Sequence, residues 1–356
     1  MTRVAAIDCG TNSVRLLIAD LADGTPSGRG AAGALSDVER RMEIVRLGEG
    51  VDRTGRLAPE ALERTFTAMR GYAKLIREHG AERVRVVATS ATRDAANRAD
   101  FVAGVREIFG VDPEVVTGSE EAHLSFLGAT AGLSGVESPV LVVDIGGGST
   151  EFVLGSTDVE SAISVDIGCV RLTERHLAAP TRAQTRAETP QSETPQSETP
   201  QAGKPETGTP QAGAAQTGAA RAEMADAEAV EAATADIEAA LDRVAEAVSV
   251  TRARTLIGLA GSVTTVAGIA LDLPAYDPAR IHGSRVPAAT VHEISRRLLV
   301  MSHDERAAIP VMHPGRVDVI GAGALILDRI VARFGFGEVV VSEHDILDGI
   351  ARGLAS

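Results

Sequence analysis

The sequence predicts an α/β protein built from two related domains. Its 356 residues, 44% of them hydrophobic, are enough to form two hydrophobic cores. A strand, a polar hairpin and a second strand are predicted at residues 3–20, and the same order recurs at residues 140–155. Asp8 and Asp144 follow the first strand of each copy, and glycine and hydroxyl residues come next. This recurrence indicates a duplicated α/β unit.

The two hairpins are the candidate anion-binding elements, because glycine lets backbone N–H groups approach a ligand without a Cβ in the way. The predicted phosphate-binding residues are Gly10, Thr11, Asn12, Ser13, Gly146, Gly147, Gly148 and Ser149. Asp144 and Glu151 flank the second hairpin, and acids placed there suit a hydrated Mg²⁺ beside phosphate. The alternative is a hairpin that serves only as a turn, although a tight turn rarely needs three glycines.

Alternating strand and helix patterns fill the rest of the chain. The further predicted strands are residues 42–47, 84–88, 114–117, 162–165 and 338–342. The predicted helices are residues 60–79, 223–250, 316–334 and 346–354. A further helix is predicted to follow residues 89–97 and to run through about residue 109. Residues 256–265 contain another strand, which ends in a glycine and hydroxyl turn that could contact a base or a phosphate. The continuous apolar character of residues 84–88 is typical of a buried parallel strand.

Two charged positions lie where predicted strands give way to helices. Arg93 follows residues 84–88 at the edge where open α/β sheets bind ligands, so it is a candidate for holding phosphate oxygens. The alternative is a surface arginine in the first turn of a helix. Glu120 and Glu121 follow a Ser N-cap, Ser119, and acids in a first turn are ordinary helix-start residues. A carboxylate there could instead act as a general base.

Composition excludes several classes of protein. The net charge of −14 argues against a protein that binds nucleic acid or a membrane surface, since those usually carry basic faces. The sequence contains no run of 18 apolar residues and begins directly with a strand pattern, so a cytoplasmic location is expected. Residues 178–222 contain a Glu-Thr-Pro-Gln-Ser repeat of period five and few large apolar residues, which predicts a disordered insert within the second domain.

Five motifs occur in order along the chain, at residues 8–13, 88–93, 118–122, 144–151 and 258–265. Each alone is weakly specific, but together they cover nearly the whole chain outside the insert. In this combination the sequence resembles the exopolyphosphatase/guanosine pentaphosphate phosphohydrolase (Ppx/GppA) family of the actin-like, sugar-kinase-like ATPase fold. Because the chain ends at residue 356, it resembles the short form that lacks an additional helical domain.

The resemblance implies two ribonuclease-H-like α/β domains with the active site in the cleft between them. The first would comprise residues 1–125 and the closing segment 343–356, and the second residues 126–342. The catalytic base of the family maps onto Glu121, with Glu120 as the second choice. Asp144, Glu151 and Asp8 are expected to organise Mg²⁺, or alternatively Mn²⁺. Arg93 and the two hairpins would hold the terminal phosphates.

The implied activity is release of terminal orthophosphate from inorganic polyphosphate by Mg²⁺-assisted in-line attack of water. Guanosine pentaphosphate (pppGpp), guanosine tetraphosphate and nucleoside triphosphates present similar phosphoanhydrides, so the choice among them stays open. A homodimer is expected.

Two other classes remain as alternatives. A sugar-kinase-like phosphotransferase is disfavoured by the motif at 118–122, and a non-catalytic alarmone or polyphosphate sensor would have no need for Glu121, Asp144 and Glu151.

Overall fold

Two separate β-sheets form the framework of the protein. The computed structural model describes residues 1–22, 35–177 and 212–355, without the side chains of 212–226 and 355. The strands among these residues are β1 Thr2–Cys9, β2 Ser13–Leu21, β3 Leu35–Ile44, β4 Arg83–Ala88, β5 Glu114–Val115, β6 Val140–Ile145, β7 Thr150–Gly155, β8 Val159–Val165, β9 Thr255–Leu259, β10 Arg285–Pro287 and β11 Glu338–Val341.

The helices surround these sheets. They are α1 Val51–Thr54, α2 Pro59–His79, α3 Ser90–Asp94, α4 Arg98–Phe109, α5 Gly118–Thr130, α6 Cys169–Leu172, α7 Ala212–Ala247, α8 Ala260–Ala270, α9 Pro278–Ile281, α10 Ala288–Val300, α11 His303–Ala307, α12 Ile320–Phe334 and α13 Ile346–Arg352. Thr173–Leu177 forms a π-helical turn directly after α6. In the described part of the chain, no helix is long and apolar enough to cross a membrane.

The two sheets share one topology. The first has the order β3-β2-β1-β4-β5, in which β1 pairs antiparallel with β2 and parallel with β4. The second contains the equivalent order β8-β7-β6-β9-β11, with β10 added at its edge. Here β6 pairs antiparallel with β7 and parallel with β9. This strand order with one antiparallel hairpin is that of a ribonuclease-H-like domain, so the predicted duplicated fold is confirmed.

Each sheet has its own hydrophobic core, and two helices connect them. Leu124 of α5 packs with Ile350 of α13 against the first sheet. Phe126, also on α5, packs against strands of the second sheet. A Cβ built on Gly128 would lie 1.7 Å from the backbone oxygen of Asp345, so α5 and α13 cross in close backbone contact. The predicted boundary at 125/126 therefore lies inside α5, and the domain limits stay a prediction.

Several predicted elements have different limits in the structure. The strand predicted at 42–47 is β3, which ends at Ile44. The helix predicted through residue 109 is two helices, α3 and α4, because the chain is extended at Ala95. The cap of α5 is Thr117 and not Ser119, since the Thr117 hydroxyl accepts the Glu120 N–H. The helix predicted from Arg316 begins at Ile320, after a short 3-10 turn at Pro314–Arg316.

The predicted insert falls partly outside the described residues. Residues 178–211 are not among them, so the prediction of disorder there is not addressed. Residues 212–222, which composition assigned to the same insert, form the beginning of α7. Alanine has the highest helix propensity of all residues, and the alanine-rich sequence here extends the helix that was expected to begin at 223.

Candidate active site

The two glycine hairpins come from different domains and touch each other. In the first domain, the side-chain oxygen of Thr11 in the hairpin lies 2.9 Å from that of Ser90 at the start of α3. A Cβ on Gly148 would lie 2.6 Å from the Ser90 hydroxyl and 2.8 Å from that of Thr11. A Cβ on Gly147 would lie 2.9 Å from Thr11 Cβ. Glycine is therefore required for the hairpins to approach this closely.

The backbone of both hairpins is held from behind. The Gly10 and Gly146 N–H groups each close their own hairpin through 3.0 Å bonds to Ser13 and Ser149. Carbonyl groups of both hairpins accept hydrogen bonds from neighbouring segments, as when Asn12 accepts the N–H groups of residues 45 and 46. Within the described residues, the N–H groups of Asn12 and Gly147 have no hydrogen-bond acceptor. Such donors at a glycine hairpin form a cradle suited to an anion.

Arg93 and Glu121 form a partly buried ion pair at the edge of the cleft. One terminal nitrogen of Arg93 lies 3.0 Å from Glu121 Oε2 and donates to the Val116 carbonyl, also at 3.0 Å. The Glu121 residue is 7% exposed. Burial is the largest cause that raises the pKa of Glu121 well above its usual range, and the negative charge of Glu151 is the next. The positive charge of Arg93 opposes this rise. The structure thus gives Glu121 the environment of a strengthened base.

Asp144 and Glu151 lie opposite each other on β6 and β7. The Ser125 hydroxyl donates to Asp144 at 2.7 Å, and the Ser164 hydroxyl donates to Glu151 at 2.7 Å. Burial, then the charge of Glu151, raises the pKa of Asp144 to about 8. Burial also raises the pKa of Glu151, against the hydrogen bond from Ser164. Without a cation, this concentration of carboxyl groups favours protonation.

Asp8 is the third predicted metal-binding acid. Arg15 donates to its Oδ2 at 2.6 and 2.9 Å and also pairs with Asp345 at the start of α13. Oδ1 of Asp8 is buried and has no hydrogen-bond partner among the described residues. Burial raises the pKa of Asp8, while Arg15 opposes the rise. An unpaired buried carboxylate oxygen is costly unless something else binds it.

These acids fit a divalent cation that is completed by substrate and water. In the described parts of the chain, no group of three or more His, Cys, Asp and Glu side chains could hold a metal ion by itself. Mg²⁺ does not need such a cage, because it usually binds through one or two carboxylates, several waters and substrate phosphates. The orphaned oxygen of Asp8 and the raised pKa of Asp144 both favour a positive charge here.

A cavity of about 90 Å³ brings most of the predicted residues together. Those that line it are Asp8, Gly10, Thr11, Asn12, Ser13, Glu121, Asp144, Gly146, Gly147 and Ser149. Arg93, Gly148 and Glu151 lie directly behind this lining. Glu120 is elsewhere, because its carboxylate accepts the N–H and hydroxyl of Thr117. These bonds lower the pKa of Glu120 and assign it to capping α5.

Arg316, which was not among the predicted site residues, also lines the cleft. Its guanidinium lies over Gly261, where a Cβ would come within 2.4 Å of it. Its hydrogen bond to the Thr265 hydroxyl is long, 3.4 Å, and among the described residues no carboxylate forms an ion pair with it. The glycine turn at 258–265 was the available signal, since a glycine at 261 leaves room for a large neighbour. Arg316 itself is distant in sequence and cannot be matched to that turn without the fold.

A second cavity, of about 440 Å³, adjoins the first. Arg15, Gly261 and Arg316 line both of them. Its remaining lining combines basic, acidic and apolar groups, among them Arg40, Arg41, Glu343, Asp345, Met42, Tyr276, Val311 and Met312. The cleft is therefore continuous on this side with a wider space that could hold the rest of a ligand whose terminal phosphate lies between the hairpins.

Known proteins similar to this chain bear out the resemblance. The model of the Ppx/GppA phosphatase family matches residues 28–254 and 218–354. Exopolyphosphatase 2 of Mycobacterium tuberculosis is 45% identical over 364 aligned residues, which cover 100% of this chain and 99% of that protein.

Solved structures give the same result. An exopolyphosphatase-like protein is 38% identical, with a TM-score of 0.80 and 99% of each chain covered. The Ppx/GppA family member of Aquifex aeolicus is 28% identical, with a TM-score of 0.69 over 99% of this chain and 97% of its own. The chain therefore belongs to the Ppx/GppA phosphatase family, and it is a phosphoanhydride hydrolase of the kind its motifs resemble.

Proposed function

We propose that the protein is an exopolyphosphatase, which releases terminal orthophosphate from inorganic polyphosphate by in-line attack of water. One observation carries this proposal: two glycine hairpins from separate domains meet beside buried Glu121, Asp144 and Asp8. A terminal phosphate between them would meet backbone donors on two sides and a carboxylate on a third. The full-length likeness to a protein named exopolyphosphatase 2 supports this substrate.

Phosphoanhydride hydrolysis depends mainly on positioning and charge neutralisation, because little covalent chemistry is required of the protein. The N–H groups of Asn12 and Gly147 would hold oxygens of the terminal phosphate. Arg316, which forms no ion pair with a carboxylate of the described residues, would hold the phosphate on the leaving side. The two N–H groups belong to hairpins whose backbone is held before substrate binds, so their orientation costs little when charge shifts to the leaving oxygen.

Glu121 is the proposed general base. Arg93 holds its Oε2 at 3.0 Å, so Oε1 can accept a proton from the attacking water. The water oxygen forms a bond to the terminal phosphorus, the bond to the bridging oxygen breaks, and the shortened chain leaves with the electron pair. The raised pKa of Glu121 makes its ionised form a better proton acceptor than an ordinary carboxylate.

Asp8, Asp144 and Glu151 are the proposed holders of the cation. Mg²⁺, or Mn²⁺, bound there would neutralise charge on the phosphate oxygens. The protein's own contribution is the geometry: Ser125 and Ser164 fix the orientation of Asp144 and Glu151, and Arg15 occupies one oxygen of Asp8. The remaining oxygens are available to the ion and its waters.

Guanosine pentaphosphate is a second candidate substrate, and the 440 Å³ cavity favours it specifically. Tyr276, Met42 and Met312 offer aromatic and apolar surface there that a purine base could contact, whereas polyphosphate would use the arginines. Both substrates would present the same terminal phosphoanhydride to Glu121. The two candidates therefore differ in what the second cavity recognises and share the site of cleavage.

The test is phosphate release from short polyphosphate, long polyphosphate and guanosine pentaphosphate, measured side by side with Mg²⁺, with Mn²⁺ and with a chelator. We expect cation-dependent release from polyphosphate with no acceptor molecule present. A higher kcat/KM for guanosine pentaphosphate would favour the second candidate. Phosphate transfer only when a sugar or acetate acceptor is added would refute hydrolysis altogether.

A further inference from the structure

Residues 168–177, which comprise α6, the π-helical turn and the preceding glycine, form a bridging segment between the domains. Its beginning is seated on the second hairpin. The Cys169 N–H donates to the Gly146 carbonyl at 3.0 Å, and the Val170 and Arg171 N–H groups donate to the Gly147 carbonyl at 2.9 and 3.1 Å. A Cβ on Gly168 would lie 2.3 Å from the oxygen of Gly147. These hydrogen bonds and this close packing hold the second hairpin and the bridging segment together.

The side chains of the bridging segment reach the first domain. Arg171 lies 2.6 Å from Asp94 and 3.5 Å from Asp52, and its side chain is only 12% exposed. Glu174 accepts the Gly50 N–H with both carboxylate oxygens, at 3.0 and 3.1 Å. Arg175 lies 3.0 Å from Asp52. The side chains of these three residues thus join one short stretch of the second domain to α1, α3 and the loop before α1.

The contact with Asp94 leads directly to the catalytic machinery. Asp94 is the last residue of α3, next to Arg93, which holds Glu121 at 3.0 Å. The backbone N–H of Arg171 donates to the Gly147 carbonyl, and its side chain pairs with Asp94 on the helix that carries Arg93. Arg171 therefore connects the hairpin to that helix. The hairpin and Arg93 belong to different domains, and Arg171 contacts the hairpin on one side and the neighbour of Arg93 on the other.

We propose that Arg171 is a positioning residue, which sets the distance between the second glycine hairpin and the Arg93–Glu121 pair. This inference rests on the proposed function of that site. Arg171 also compensates the charges of Asp52, Asp94 and Asp166. Without it, two first-domain aspartates would face the second domain with less positive charge near them, and this side of the cleft would open.

The test is a double-mutant cycle of Arg171→Gln and Asp94→Asn, with kcat and KM measured on tripolyphosphate. A misplacement of about 1 Å can cost about 10²-fold in rate, so we expect each single variant to lower kcat/KM by roughly 10- to 100-fold. The double variant should lose no more than the worse single variant, because both remove the same contact. Arg254→Gln is the matched control, since it removes an exposed ion pair with Glu137 away from the cleft.

A second measurement separates this inference from the proposed function. Small-angle scattering should give a larger radius of gyration for Arg171→Gln and Asp94→Asn than for the wild type or Arg254→Gln. Should Arg171→Gln fail to fold, Asp94→Asn tests the same contact. Additive losses in kcat/KM, or a lower Tm with unchanged kcat/KM, would overturn the role of Arg171. If wild-type protein hydrolysed no polyphosphate, the proposed function would fail, and the scattering result would still decide whether the contact closes the cleft.

Discussion

Replacement of Asp144 by asparagine should stabilise the protein while it removes an acid from the site. Burial raises the pKa of Asp144 from 3.8 to about 8. At a pH between these values the folded protein holds a proton that the unfolded chain releases. The stability contribution is therefore fully present below about pH 4 and is lost as pH rises towards about 8. Asparagine has no charge to bury and incurs no such loss.

The magnitude follows from the same shift. At about pH 7 the interval above 3.8 is roughly 3 pH units, which at about 1.4 kcal/mol per unit corresponds to about 4 kcal/mol. Weakening the hydrogen bond from the Ser125 hydroxyl costs about 1 kcal/mol, so Asp144→Asn should gain about 3 kcal/mol in free energy of unfolding. For domains of this size the gain corresponds to an increase in Tm of roughly 6–12 °C.

The assay is thermal unfolding across the pH range in a chelating buffer. The difference in Tm between Asp144→Asn and the wild type should grow as the pH rises from about 4 to about 8. Asp158→Asn, at an exposed position between β7 and β8, should show no such growth. Added Mg²⁺ should raise the Tm of the wild type more than that of Asp144→Asn. A constant difference, or a variant less stable than the wild type at every pH, would refute the reasoning.

Two further predictions concern the base and the helix crossing. Glu121→Gln should lower kcat by roughly 10²–10⁴ with KM little changed, whereas Glu120→Gln should retain activity; steady-state kinetics would reverse the assignment if the loss followed Glu120. Gly128→Ala should lower the free energy of unfolding by about 1–3 kcal/mol, because the new Cβ meets the Asp345 backbone. Gly71→Ala, in open space on α2, should raise it by about 0.5–1 kcal/mol; denaturant unfolding that gave both variants the same sign would contradict the packing argument.

Local patterns were sufficient for much of the fold. The repeated strand, aspartate and glycine order gave both hairpins and the duplication, since period and turn chemistry are properties of neighbouring residues. Gly80 ended α2 as expected, in a left-handed conformation with φ of 66°. The predicted limits of β3 were wrong, and so was the prediction of one continuous helix where the structure has α3 and α4. Both features depend on partners distant in sequence. β3 continues as far as β2 offers it hydrogen bonds, from Leu35 to Ile44.

The sequence also supplied the residue types of the site, but local spacing did not separate Glu120 from Glu121, and only the family resemblance placed Glu121 first. Adjacent residues of a helix point about 100° apart, so only one of the two could face the cleft. The structure places Glu121 in the buried position beside Arg93 and gives Glu120 to the cap at Thr117. Which of them serves catalysis stays a prediction that kinetics must decide.

The sequence by itself determined the motif order and the family, and it predicted which residues bind phosphate and which acids bind the cation. Only the tertiary structure decided which charges meet across the cleft. Arg316 and Arg171 lie in stretches without a motif of their own. Their proposed roles depend on the fold, which brings them beside Gly261 and Asp94 from separate parts of the chain. Electrostatic pairing and desolvation depend on distances in space, and for these residues the sequence separation carries no information about those distances.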